Sequence, residues 1–208
     1  MIIDIGEIII SRINTLPFLD KFAGVVKVLS YVNVDKNGKS IKNTFPASCK
    51  SPINLSDCDT SRYLDLCPDD KKKSVLYLED KGIRFRKTEG QQIYFTASVD
   101  LVLWLNLPLL GVSDCSFSAR CSAAIISLLI GKGVPFQSGI YQMVSIKPVF
   151  EQPKSNNPFV KYTYNETSQQ LLMYPYDHLV LSLDIEFMIN AKCIDQIILN
   201  PPIPCLTK

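Results

Sequence analysis

The sequence predicts an α+β fold, in which an antiparallel β-sheet carries two helices on one face. Apolar residues alternate with mostly polar ones between Gln91 and Leu105, and the same alternation returns between Tyr176 and Asn190. A period of two is that of a β-strand, because successive side chains point to opposite faces. Two long strands with one polar face each are typical of an antiparallel sheet covered on one side only. Two apolar segments of helical character supply the predicted cover.

The first helix is predicted near the N-terminus, where apolar residues recur with a helical period. Asp4 is a candidate N-cap, and Pro17 is a stop signal. The stripe consists of Ile5, Ile8, Ile9, Ile13 and Leu16. We therefore expect a short amphipathic helix that packs its stripe on the sheet.

A long β-hairpin is predicted next. Phe22–Val34 is rich in valine and aromatic residues, and Lys39–Phe45 follows after Asn37-Gly38. Asn-Gly between two such runs favours a type I′ turn, which requires positive φ at both central residues. Because the limbs are long and only partly apolar, we expect residues 22–48 to project from the domain as an arm.

The stretch Pro46–Lys73 has no apolar period and contains three prolines and three cysteines. Loops longer than about 12–15 residues are uncommon inside compact domains and are usually functional. We therefore expect residues 49–73 to form an inserted loop. Two short strands follow, Ser74–Glu79 and Ile83–Arg86, with Lys81-Gly82 as the turn between them.

The second helix is predicted over Ser118–Ile130, with Ser118 as its cap and Gly131 at its end. Its apolar residues lie nearly all round, so we expect burial on most sides. Tyr141–Phe150 is predicted to be a strand at an edge or bulge, because Pro148 lacks a donor for the ladder. The proline-rich residues 193–208 are expected to form an extended tail of a single domain, residues 1–208.

Charge and cysteine usage narrow the function classes. The chain has 22 basic and 20 acidic residues, a net charge of +2, and this balance does not favour a surface built to grip nucleic acid. Seven cysteines without a preceding signal peptide are expected to stay reduced in a cytosol. The longest apolar run, Val99–Val112, is too short and too polar to span a membrane.

Candidates for catalysis and metal binding are few. The single histidine, His178, and seven cysteines without a C-x-x-C pair provide no zinc-site spacing. Gly131-Lys132-Gly133 lacks the strand-to-helix context of a phosphate loop. We therefore expect no catalytic, cofactor or metal site, although an enzyme that pairs a cysteine with His178 remains an alternative.

Some large apolar side chains fall on the polar faces of the two long strands. They are Tyr94, Val102, Trp104, Tyr176 and Met188. Aromatic residues and methionine are enriched in the cores of protein interfaces. This set therefore predicts a face that another protein covers.

The chain resembles the tail-terminator and tail-completion ring proteins of tailed bacteriophages. The order of helix, long hairpin, strands, core helix, strand and long final strand carries the resemblance over most of the length. Local stretches are also similar to neck and tail ring proteins of crAss-like phages; they are Asn14–Phe18, Thr44–Pro46, Lys73–Tyr77 and Gln170–Pro175. The family has no catalytic residues that can be transferred to this chain.

The resemblance implies a virion structural protein, assembled in the bacterial cytoplasm, that forms a homo-oligomeric hexamer or dodecamer ring in the neck or tail. DNA would pass through its lumen without specific binding, and its partners would be other neck, tail or portal-adaptor rings, not a membrane. The hairpin and the loop would carry the subunit contacts. Candidate interface residues are Val34, Asn37, Gly38, Lys39, Ile41, Leu55, Tyr63 and Trp104. The main alternative is a capsid accessory or another interaction module, such as a cytosolic adaptor, without a ring role.

Overall fold

The computed structural model describes residues 2–34, 38–48, 66–114, 116–130, 141–151, 157–163 and 169–191. Within these residues the chain forms two α-helices and six β-strands. They are α1 (Ile2–Ile13), β1 (Lys21–Val34), β2 (Ser40–Ser48), β3 (Ser74–Glu89), β4 (Gln92–Asn106), α2 (Phe117–Ile130), β5 (Tyr141–Glu151) and β6 (Tyr176–Asn190). A short 3-10 helix, Pro158–Lys161, precedes β6.

The six strands form one sheet in the order β2-β1-β3-β4-β6-β5. Every neighbouring pair is antiparallel except β1 and β3, which run parallel over a short stretch. The α+β class predicted from the sequence is therefore confirmed.

The centre of the sheet is the pair of long strands that the alternating pattern predicts. β4 and β6 pair without interruption from Gln92↔Asn190 to Asn106↔Tyr176. The observed bounds of β6 match the prediction, and those of β4 differ from it by one residue at each end. An uninterrupted register of this length places the odd-numbered residues of both strands on one face.

Both helices cover that odd-numbered face. Ile5, Ile9 and Ile13 of α1 and Ile125 of α2 are completely buried in one core, which also contains the following residues of β4 and β6: Ala97, Val99, Leu101, Leu103, Leu105, Leu179, Leu181, Leu183, Ile185, Phe187 and Ile189. Burial of aliphatic side chains is the dominant stabilising contribution of such a layer. The Arg12 side chain also donates a 3.2 Å hydrogen bond to the carbonyl of Leu129, which ties α1 to the end of α2.

The start of α1 differs from the prediction. The described helix begins at Ile2, so Asp4 lies in its first turn and is not the N-cap. A carboxylate in the first turn still interacts favourably with the helix dipole.

Gly6 allows α1 to approach β1 closely. A Cβ atom at position 6 would lie 2.7 Å from Cγ2 and 2.9 Å from the backbone nitrogen of Val25. The backbone atom cannot move away without shifting the strand. A side chain at this position would therefore separate the helix from the sheet.

We expect Gly6→Ala to lower the free energy of unfolding, even though alanine has the higher helix propensity. Overpacking costs about 1–3 kcal/mol, whereas the propensity gain is at most ~1 kcal/mol, so the net change is destabilising. Urea unfolding measures the difference. Gly24→Ala is the matched control, because a Cβ there meets nothing closer than 3.7 Å; equal effects of the two substitutions would contradict the close approach.

β3 is one continuous strand, and the prediction of two short strands separated by a turn is wrong. The chain stays paired with β4 throughout, with irregularities between Asp80 and Ile83 and between Phe85 and Lys87. Gly82 adopts a φ of +107°, and its backbone nitrogen donates a 2.7 Å hydrogen bond to the Asp80 carboxylate. The Lys81-Gly82 signal therefore marks a bulge, which glycine permits as readily as a turn.

α2 is less buried than predicted. Its first turn begins at Phe117, and Ser116 accepts the hydrogen bond from the backbone nitrogen of Arg120, so the Ser118 cap is also wrong. Ala123 and Ser127 are exposed, and Ile130 is 51% exposed. The buried residues of α2 form one side of the helix, and α1, β5 and β6 are among the elements that it contacts; these residues are Ser118, Cys121, Ser122, Ile125 and Leu129.

β5 lies at the edge of the sheet, as Pro148 predicts, and its register shifts between Pro148 and Phe150. Three other predicted features lie outside the described residues: the helix stop at Gly131, most of the inserted loop, and the tail 193–208.

The second face of the sheet is also covered at one end, which corrects the expectation of a sheet covered on one side only. A separate core forms there from Ala23, Val26, Leu66, Val75, Tyr77, Val102, Trp104, Phe159, Tyr162 and Val180. We call residues 157–163, which supply Phe159 and Tyr162, the strap. The strap lies over the sheet at the end where β4 finishes and β6 begins.

Candidate interaction surface

The outer parts of β1 and β2 form a two-stranded extension that we call the ribbon, residues 26–34 and 40–48. β1 pairs with β3 only between Lys21 and Val25, whereas it pairs with β2 from Val26 to Val34. Beyond Val25, β1 thus has a ladder partner on only one side within the described chain.

One face of the ribbon carries three exposed valines of β1. Val28, Val32 and Val34 are 56%, 62% and 68% exposed, and they alternate along β1 in phase with Val26, which belongs to the second core. Scattered exposed valines are common, but these three form a stripe on one face of a two-stranded extension, which Ser30 interrupts and which has Lys42 opposite Val32. Such a stripe fits contact with another protein surface.

The predicted interface residues at the ribbon tip are partly described. Val34 and Lys39 are exposed and Ile41 is 41% exposed, while Gly38 has a φ of +79° with open space around it. Asn37, Leu55 and Tyr63 lie outside the described residues. Val34 and Ile41 lie on opposite faces of the ribbon, because Ile41 pairs with Asn33 and Val34 pairs with Ser40, and Lys39 lies just before β2.

Trp104 is a correction to the predicted interface. It is completely buried, its Nε1 donates a 2.7 Å hydrogen bond to the carbonyl of Leu171, and its ring stacks on Tyr176 at 5.4 Å. Val102, Trp104 and Tyr176 are covered by the same chain, whereas Tyr94 and Met188 are half-buried and lie outside this core. Trp104 therefore cannot contact another subunit while this core is intact.

The strap joins the ribbon to the body of the sheet. The backbone nitrogen of Thr163 donates to the carbonyl of Thr44 at 2.8 Å, and the Thr44 nitrogen donates to the Thr163 hydroxyl at 3.1 Å. Thr44 lies on the edge strand β2, so these bonds fix the ribbon against the strap. The strap is not predicted by the apolar pattern of the sequence. The local signal for it is Asn157-Pro158, because the Asn157 side chain accepts a 2.9 Å hydrogen bond from the Phe159 backbone nitrogen at the start of the 3-10 helix.

A buried carboxylate holds the strap at Lys161 and Tyr162, next to Thr163. Glu79 is 6% exposed, accepts a 2.7 Å hydrogen bond from the Tyr162 hydroxyl and forms an ion pair with Lys161. Burial raises the pKa of Tyr162, and the negative charge of Glu79 raises that pKa further. The neutral hydroxyl donor is therefore the form that the folded chain favours.

We expect the stability of the protein to fall above pH 10 less steeply in Tyr162→Phe than in the native chain. The proton on Tyr162 is bound more tightly in the folded than in the unfolded state, where tyrosine ionises near pH 10. Its contribution is complete below that pH and decreases as the pH rises. Urea unfolding between about pH 9 and 11 measures both slopes; equal slopes would contradict a buried Tyr162–Glu79 bond.

The alternative of a cysteine–histidine enzyme finds no support at Cys121. This thiol is buried in the core on the helix-covered face, whereas His178 lies on the opposite face of the sheet. The rings of His178 and Phe159 pack in a T-shaped arrangement, with their centroids 5.9 Å apart. Burial raises the pKa of Cys121 to about 12, and a neutral thiol is a poor nucleophile. The other described cysteine, Cys67, is also buried.

The described residues contain neither a candidate metal site nor a membrane-spanning helix. Among the described residues, no group of three or more His, Cys, Asp or Glu side chains is arranged to hold a metal ion. In the same part of the chain, neither helix combines the length and apolar character needed to cross a bilayer.

Comparisons of the chain with protein-family models, with curated proteins and with solved structures find no match.

Proposed function

We propose that this chain is a structural subunit that assembles with copies of itself into a closed ring in the neck or tail of a tailed-phage particle. The observation that carries the proposal is the exposed valine stripe on a ribbon that extends past the ladder with β3. We expect this valine stripe to be buried against the surface of a neighbouring subunit. When two different surfaces of each subunit meet head to tail, the subunits close into a ring if the rotation between neighbours permits it.

The strap gives the ribbon a defined position. Its bonds to Thr44 and to Glu79 connect the ribbon to the second core, so the stripe is presented at a fixed angle. A preorganised surface loses less conformational entropy on association than a flexible arm does. This arrangement supports a ring with a defined number of subunits, a hexamer or a dodecamer.

The remaining expectations fit the same role. The near balance of 22 basic and 20 acidic residues suits a lumen through which DNA passes without specific binding. The order of elements supports neighbouring neck, tail or portal-adaptor rings as the other partners. We place the protein in the virion, after assembly in the host cytoplasm, and assign it no catalytic step.

Native mass spectrometry of the purified chain, and of the same chain released from particles, tests the proposal. We expect a species of six or twelve times the 23.4 kDa chain mass in at least one of the two samples. A monomer in both samples would contradict the ring and favour an accessory or adaptor protein.

A further inference from the structure

Among the described residues, the outer half of β3 forms a free edge of the sheet. β3 pairs with β1 only from Val75 to Leu78, and beyond this point its described ladder partner is β4 alone. Residues 80–89 are exposed except for Ile83, which is half-buried. A free edge presents unpaired backbone donors and acceptors, to which an extended chain can add.

This edge carries two arginines whose charges are not neutralised by the described chain. Arg84 and Arg86 are exposed, and their side chains form neither an ion pair nor a hydrogen bond with any described residue. The nearby lysines differ, because Lys81 binds Asp100 at 2.9 Å and Lys87 binds Glu89. The surplus positive charge of this edge is therefore located on the two guanidinium groups.

A buried hydroxyl without a partner lies next to Arg84. Thr96 is the cross-strand neighbour of Arg84, is 9% exposed, and its hydroxyl has no hydrogen-bond partner in the described part of the chain. An unsatisfied buried polar group destabilises the folded chain. Thr96 lies on β4, on the side of β3 away from the free edge, so it marks a polar site beside Arg84 and is not a contact of an added strand.

We propose that the free edge of β3 binds an extended acidic segment of a different protein, which adds to the sheet as a strand. Its carboxylates would pair with Arg84 and Arg86, since guanidinium groups bind carboxylates through two parallel hydrogen bonds. Phe85, which is 62% exposed, offers an apolar contact on the other face of the strand. The proposal is independent of the ring role, because it uses neither the ribbon nor the strap.

Charge complementarity selects this partner. A second copy's ribbon carries Lys27 and Lys42, of the same sign as the two arginines. A nucleic acid lying across this face from Arg84 would meet the carboxylate of Glu186, which follows Thr96 in the same cross-strand row. An acidic strand that runs along β3 meets the arginines first.

The test uses a fluorescein-labelled peptide of about seven residues, the length of Ile83–Glu89, that alternates glutamate with valine. We expect binding in about 0.15 M salt and at least tenfold weaker binding to the double variant Arg84→Ala, Arg86→Ala, since each substitution removes charge-assisted hydrogen bonds to a carboxylate. Hydrogen exchange of the complex should show new protection within Ile83–Glu89. The matched control, Lys71→Ala with Lys72→Ala, removes the same charge elsewhere and should leave affinity within about twofold.

Three outcomes would overturn the proposal. The first is that the peptide does not bind, in which case the two arginines would serve only to protect the edge against aggregation. The second is that the peptide binds equally to the arginine variant and the native chain. The third is that a single-stranded oligonucleotide binds more tightly than the peptide through the same arginines, which would make the edge a phosphate surface.

Discussion

Replacing Phe159 by alanine is expected to lower the free energy of unfolding by about 3–5 kcal/mol, the usual cost of removing a buried phenylalanine. Phe159 is completely buried in the second core and packs edge-on against His178. It also anchors the strap, so its loss exposes Trp104 and weakens the attachment of the ribbon. Urea unfolding followed by tryptophan fluorescence measures the effect, since Trp104 is the single tryptophan of the chain.

Val160→Ala is the control for this substitution. Val160 is the next residue of the strap and is 80% exposed, so its truncation should change stability by no more than about 0.5 kcal/mol. A loss below about 1 kcal/mol for Phe159→Ala would show that the strap does not hold the second core together.

The double variant Val32→Lys, Val34→Lys is expected to abolish self-association and leave the fold intact. Both valines are more than 60% exposed in the single chain, so two lysines there cost little stability. In a subunit contact the same lysines would have to be buried without partners, which costs several kcal/mol each. Native mass spectrometry should show only monomers, and circular dichroism should be unchanged.

Leu109→Lys with Ile130→Lys provides the matched control. Leu109 and Ile130 are 47% and 51% exposed and are not part of the ribbon. Their substitution by lysine introduces the same two charges. Assembly should persist in this variant. If the ribbon variant assembles as well as the control does, the valine stripe is not the subunit contact.

The parts of the fold that the sequence predicts best are those determined by local pattern. The alternation between Gln92 and Asn106 specifies a strand with one apolar face, whatever its neighbours are. Pro148 predicts an edge because the missing donor excludes a central position. The stripe of α1 likewise predicts its packing face, since a period of 3.6 is a property of the helix alone.

The errors concern tertiary context. Trp104 and its apolar neighbours predict a covered surface, but the pattern cannot distinguish cover by the same chain from cover by a partner. The strap that supplies it, including Phe159 and Tyr162, is distant in sequence and has no periodic pattern of its own. Gly82 predicts positive φ, which both a turn and a bulge require, so only the ladder with β4 decides between them.

The candidate interaction surface also combines features that local sequence pattern predicts with features that depend on the folded path of the chain. The sequence predicts Val34 and Ile41 because the hairpin signal at Gly38 places them near an exposed tip. The sequence does not predict that Thr163 would fix this hairpin through Thr44, because a backbone hydrogen bond between distant segments depends on the folded path of the chain. The free edge of β3 also follows from the path, since it arises where β1 leaves β3 to pair with β2.

Electron cryomicroscopy of phage particles that contain this chain tests the central claim most directly. We expect a closed ring of identical copies around the tail axis, with Val28, Val32 and Val34 of each ribbon in contact with the next copy. A map in which the chain is a solitary subunit, or in which the ribbon valines face solvent within a ring, would contradict the account.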